Sequence, residues 1–307
     1  MYSTYIIFLT LLFSIGFSGN GIVVLQLILN LLCSNLFYRT LIYFALSKRT
    51  ALFAAIMFIF CLPIQKWAFA LYTESLFVCL IIIYCFCFTF KGKKQILLTG
   101  LSGLLLTFSR PVGIFIAISG LLLFSGKVPP YLKRRLIASI MFVLISVFLI
   151  GFFIPVDCNQ VAIPIYQGSV IYGFPVWDEN AFTLPCNLFN VYKSMIKEHG
   201  IVDVACLLVK RIISLYTLSR PYFSTIHNLT ISVYYILYIL ASIGMFSIRN
   251  LANEFKVFSF LSIIFLTLVT AFTHDEWSAR FHVPILLCII SFAAVGLNEI
   301  VIKLNKY

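Results

Sequence analysis

Long apolar runs separated by short polar breaks organise this chain from end to end, and the runs predict membrane-crossing helices near 3–17, 22–45, 50–65, 72–90, 95–109, 112–125, 136–156, 229–247, 256–273 and 281–299. A bilayer crossing needs about 20 apolar residues. Several of these runs fall short of that length, so the 95–125 pair reads as a bent or partly re-entrant hairpin. The first run is followed by Ser18-Gly19-Asn20-Gly21 and has no basic segment before it, so it reads as a retained helix rather than a cleaved leader. The expected fold is therefore an all-α polytopic transmembrane bundle of about ten spans, forming one integral-membrane domain over 1–307.

One stretch breaks this pattern. Residues 157–228 hold Asp157, Asp178, Glu179, Glu198 and Asp203, half of the chain's 10 acidic residues, together with four of its 10 prolines. Its first half is rich in turns and aromatics (Tyr166, Tyr172, Pro175, Trp177), and its second half, about 188–218, reads as helical. Lys210 and Arg211 interrupt the apolar run Val204–Leu218, which predicts a helix lying at the membrane interface rather than a further crossing. A loop of this length is usually functional.

Composition agrees with the pattern: the chain is 62% hydrophobic and 10% charged with a mean hydropathy of +1.06, whereas a water-soluble domain would be roughly a quarter charged. A net charge of +12 in a soluble protein would point to nucleic acid. Here the positions of the charges explain it without a nucleic-acid partner. Lys48-Arg49, Lys91 with Lys93 and Lys94, Lys133-Arg134-Arg135, Arg249 with Lys256, and Lys303 with Lys306 all sit at the ends of apolar runs. If those clusters are cytoplasmic, the excess of Lys and Arg on that side orients every helix and puts 157–228 on the outer face.

Six of the nine cysteines fall in predicted spans, where cysteine behaves as a small apolar residue. Cys158 and Cys186 share the outer loop and suit a disulfide in an oxidising compartment. No cysteine spacing predicts a metal site, and no phosphate-binding loop, dinucleotide fingerprint or nucleophile elbow is present, so neither a metal nor a cofactor is expected.

Arg39-Thr-Leu-Ile-Tyr-Phe-Ala-Leu-Ser-Lys-Arg49, a helix ending at Pro63, Tyr72-Thr73-Glu74-Ser75-Leu76-Phe77, and Leu101 to Gly113 with Ser109-Arg110-Pro111 at its turn together resemble the GT-C superfamily of membrane glycosyltransferases. The likeness is to the GPI mannosyltransferase II type and its bacterial relatives, over about 2–125. Ala279-Arg280-Phe281-His282-Val283-Pro284 is a second, weaker match. The resemblance implies a GT-C-like bundle that moves a hexose, mannose-like, from a polyprenyl- or dolichyl-phosphate carrier to a lipid, glycan or protein acceptor. The reaction would take place at the outer or lumenal face of a bacterial inner membrane or, in a eukaryote, of the endoplasmic reticulum. Two other classes stay open: a truncated, non-catalytic homologue or accessory subunit, and a lipid-linked oligosaccharide polymerase or flippase.

That chemistry needs cations at the leaving phosphate and a carboxylate at the acceptor hydroxyl. Glu74, the one acidic residue before position 157, either shapes the donor site beside Tyr72 or caps a helix N-terminus. Arg110 either grips a phosphate with its planar donors or snorkels to headgroups; Arg220, in Ser219-Arg220-Pro221, repeats its tripeptide. The segment His274 to His282 is the densest polar constellation outside the long loop. From it Arg280, the residue that matches the family, is the candidate for the phosphate and His274 or His282 for the reacting hydroxyl, while its acids read as ordinary loop polarity. Asp178 and Glu179 follow Trp177 in a pairing suited to sugars. The resemblance also implies an acidic residue in a first outer loop, and none precedes Glu74, so little or no transferase activity is expected of 1–307 alone. Arg110 and Arg280 are expected to meet at one outward-facing cavity with Glu74 on its wall.

Overall fold

The computed structural model describes residues 2–44, 46–127, 129–177, 187–247, 252–276 and 279–305, and these are helical with no strand, only isolated bridges. The helices are α1 Ser3–Ser14, α2 Gly19–Tyr43, α3 Lys48–Ile59, α4 Leu62–Gln65, α5 Thr73–Cys87, α6 Gly92–Ser109, α7 Gly113–Gly120, α8 Pro130–Phe153, α9 Ile163–Tyr166, α10 Leu188–Tyr216, α11 Thr225–Ser232, α12 Tyr235–Phe246, α13 Asn253–Phe272 and α14 Val283–Leu304.

Five helical segments are long and apolar enough to cross a membrane: Gly19–Tyr43, Arg134–Phe153, Thr225–Phe246, Asn253–Phe272 and Arg280–Leu304. Lys48–Ile59 with Leu62–Phe69, bent by 52°, makes a sixth if taken as one broken span. These coincide with six of the expected runs. The break in the sixth falls at Cys61-Leu62-Pro63, where the proline lacks the donor a continuous helix requires.

α14 is the axis of the bundle. It is apolar all round, and Val283 to Val295 are buried almost without interruption, as such a helix must be when others surround it. α12 lies against it backbone to backbone: a side chain on Gly296 would overlap the Leu240 carbonyl, and one on Gly244 the Phe292 carbonyl. Small residues permit that approach. The main core joins α2, α3, α5 and α14 through Phe37, Phe58, Phe77 and Ile290, while Ile165, Val191, Met195 and Leu207 form a separate core beneath the 158–177 segment.

Two expectations are corrected. The first run does not form a crossing: α1 has 12 residues, a rise of about 18 Å. Tyr2 lies at one end of the bundle, and Gly19, just beyond α1, packs on Leu71 near that same end. The 188–218 helix exists as α10, but it is interrupted at Gly200 (φ 84), and Arg211 is completely buried rather than interfacial. Buried guanidinium needs hydrogen bonds. The Arg211 Nε donates to Ser169 O at 2.8 Å and its Nη atoms to the Tyr192 hydroxyl (2.8 Å), Ala271 O (3.3 Å) and Ile165 O (3.4 Å).

The bundle has two chemically distinct ends. At one, Ala252 N donates to Phe44 O, which brings the segments around Lys48 and Lys256 together. At the other, the ends of α6, α8 and α13 meet the starts of α7 and α14 around a cavity.

Candidate functional site

Arg110 sits where α6 must reverse into α7. Proline follows it, its own backbone is extended (φ −153, ψ 146), and Gly113 approaches so closely that a Cβ there would overlap the Leu106 carbonyl. This tight turn holds the guanidinium in place, 3% exposed and flanked by the Phe77 and Phe281 rings at 5.6 and 5.5 Å. Arg280 enters from the other side, after Ala279, which occupies the left-handed region at φ 58, the one non-glycine among the described residues to do so. Such a conformation is costly for a residue with a Cβ and tends to be kept at functional sites.

Both arginines line a cavity of about 580 Å³ shared with Tyr2, Tyr172, His274, Glu276 and an apolar wall that includes Val112, Val156, Leu266 and Val269. The expected meeting of Arg110 and Arg280 is therefore present. Glu74 takes a different place from the one expected: it does not line the cavity, it is wholly buried, and it lies behind both guanidiniums. Its Oε1 is 3.0 Å from Arg110 Nη1 and 3.8 Å from Arg280 Nε. None of these three atoms has a well-aligned hydrogen bond. Glu74 is accordingly a shared counter-charge behind the two arginines, outside the cavity lining. Burial draws the Arg110 pKa below the usual arginine range, and the Glu74 charge opposes that pull; an arginine still keeps its proton at neutral pH.

The remaining candidates fall elsewhere. Arg220 is committed to a buried ion pair with Asp275, and Ser214 joins them by donating to the same carboxylate oxygen at 2.8 Å. His282 is buried with Nε2 2.8 Å from the Tyr238 hydroxyl and does not line the cavity, so it is not placed to meet a hydroxyl there. Tyr72 is half exposed, edge-on to Trp67 at 5.4 Å, and also outside the lining. Asp178 and Glu179 lie outside the described residues. Cys158 is disulfide-bonded, and its expected partner, Cys186, is likewise outside the described residues. No cluster of three or more metal-ligating side chains occurs among the described residues.

The sequence reading passed over Glu276, the one carboxylate in the lining among the described residues. Its Oε1 is 3.7 Å from Arg280 Nε, and its backbone N–H donates to the Asp275 carboxylate at 2.7 Å. Asp275 is fixed in turn by backbone bonds with Val170 and Tyr172. The signal was the polar density of 274–282, but charge in a short interhelical loop is common enough to hide a functional acid. His274 closes the wall, its ring nitrogens each 3.2 Å from a backbone oxygen, of Asp275 and of Gln160. Burial holds its pKa below the usual histidine range.

Among the described residues, the charged groups in the cavity lining are Arg110, Arg280 and Glu276, with Glu74 buried behind the two arginines and the Arg220–Asp275 pair outside the lining. Compared with known proteins, the chain matches no family model, no curated protein and no solved structure.

Proposed function

We propose that this protein is a polytopic membrane glycosyltransferase of GT-C type that takes a mannose-like hexose from a polyprenyl- or dolichyl-phosphate carrier at the outer or lumenal membrane face. The observation that carries the reading is the convergence of Arg110 and Arg280 on one cavity whose remaining wall is largely apolar. An amphiphilic anion fits both halves: phosphate oxygens accept from two guanidiniums, and the isoprenoid lies along Val156, Leu266 and Val269. A soluble nucleotide sugar would have no use for that apolar wall.

In this reading α2, the bent α3–α4 pair, α5 to α8, α11 with α12, α13 and α14 cross the bilayer, and α1 rests along the outer side. The arginines stabilise the charge that develops on the departing phosphate, an effect strengthened where water is excluded. Glu74 keeps the two cations from repelling each other before the carrier arrives.

Binding of farnesyl monophosphate to the detergent-purified chain tests this, with farnesol as the uncharged control. The expected result is that the phosphate binds well above farnesol and that Arg280→Gln weakens it about 10- to 100-fold, as loss of a charge-assisted contact of about 1.5–3 kcal/mol requires. Equal binding of farnesol and farnesyl phosphate, or an unaffected Arg280→Gln variant, would overturn the reading.

A further inference from the structure

We propose that Glu276 is the catalytic carboxylate of this site: it accepts the proton of the attacking acceptor hydroxyl. The proposal rests on the lipid-phosphate reading above and goes beyond it by assigning the base.

Three observations point to Glu276. It is the carboxylate in the cavity lining among the described residues, whereas Glu74 is sealed behind the arginines and Asp275 is consumed by Arg220 and Ser214. It precedes Arg280 by four residues, with Oε1 3.7 Å from the guanidinium Nε. A phosphate on that guanidinium would therefore bring the sugar into the cavity that Glu276 lines. Finally, its backbone is anchored at both ends, through its N–H to the Asp275 carboxylate and through its carbonyl, which accepts from Ala279 N at 2.9 Å. A carboxylate anchored in the same cavity as the phosphate-binding arginines can accept a proton from an acceptor hydroxyl that enters that cavity.

The step balances without a co-reactant. The acceptor oxygen forms a bond to the anomeric carbon while the bond from that carbon to the phosphate oxygen breaks. The electron pair leaves with the polyprenyl phosphate, opposite Arg110 and Arg280. The acceptor's proton passes to Glu276 and from there to solvent.

The test compares wild type, Glu276→Gln and Glu276→Asp for farnesyl monophosphate binding and for release of farnesyl phosphate from farnesyl phosphoryl mannose in micelles containing total membrane lipids. The expected result is that Glu276→Gln binds farnesyl phosphate within about three-fold of wild type but releases it ~10²–10⁴ times more slowly, with Glu276→Asp between the two. Preserved binding shows that the variant is folded. Release by Glu276→Gln at the wild-type rate would overturn the assignment. So would a rise in KM with kcat unchanged, which would make Glu276 a positioning residue for Arg280. A wild-type chain that binds farnesyl phosphate and releases nothing overturns the catalytic assignment while leaving the binding reading intact; one that fails to bind it overturns both.

Discussion

Glu74 and Arg211 show opposite ways of keeping a charge inside an apolar bundle. Arg211 spreads its donors over three carbonyls and a tyrosine hydroxyl, while Glu74 has two cations and few aligned hydrogen bonds. Removing the Glu74 charge leaves the buried Arg110 without its carboxylate partner beside Arg280, and breaking a buried pair in this way typically costs about 3–5 kcal/mol. Glu74→Gln is therefore expected to lower the thermal midpoint in detergent sharply, and saturating farnesyl phosphate to restore part of the loss by supplying the missing anion; an unchanged midpoint would refute the role given to Glu74. His274 gives a pH prediction. Its folded-state pKa is lowered by burial, so above an ordinary histidine value of about 6.5 both folded and unfolded states are neutral and nothing changes. Below it the unfolded chain takes up a proton that the folded chain resists, and stability falls as the pH drops. Melting curves from pH 7.5 to 5.5 should show that decline in wild type and a flatter one in His274→Gln.

Helix pairing depends on where side chains are missing as much as on where they are present. At Gly296 a methyl group would meet the Leu240 carbonyl and crowd Gly244 N at 3.0 Å, whereas Gly151 of α8 has nothing within 4 Å. Gly296→Ala should therefore destabilise by about 1–3 kcal/mol, the usual cost of overpacking, and Gly151→Ala should be neutral or stabilising by up to about 1 kcal/mol through helix propensity. Denaturant titration of the two variants side by side checks the contrast, and equal effects would mean that the α12–α14 contact is not close. Elements of this kind were legible in the sequence wherever an apolar run was long: α2, α8, α13 and α14 lie where the runs near 22–45, 136–156, 256–273 and 281–299 put them. α1 was misread because an apolar run records affinity for lipid but not where its two ends are tied. Arg211 was misread for a related reason, since the carbonyls that satisfy it come from residues 165, 169 and 271, far away in sequence. Arg110 stood out as an isolated charge beside a proline and a glycine and Arg280 through its resemblance to the family, whereas Glu276 was hidden among ordinary loop polarity.

At the scale of the whole molecule, charge is sorted between the two ends of the bundle. Lys91, Lys93 and Lys94 lie at the start of α6, which ends at the cavity; Lys256 lies at the start of α13, which also ends there; and α14 begins at the cavity and finishes near Lys303. The 158–177 segment lies at the cavity end, where Gln160 and Tyr172 contribute to the wall, and Asn187 pairs with Pro155 just beyond α8. Because lysine and arginine near helix ends are retained on the cytoplasmic side, the cavity should face outward. α10, which leaves from the cavity end, should be reachable from outside. Cys206 is the exposed free cysteine among those described, so a Cys206→Ser background allows single probes at Lys197 on α10 and Lys94 on α6, both exposed. A membrane-impermeant maleimide is expected to label Lys197→Cys in intact cells and Lys94→Cys only after permeabilisation. The reverse pattern would invert the molecule and place the arginine cavity in the cytoplasm, where a carrier displayed on the outer leaflet could not reach it.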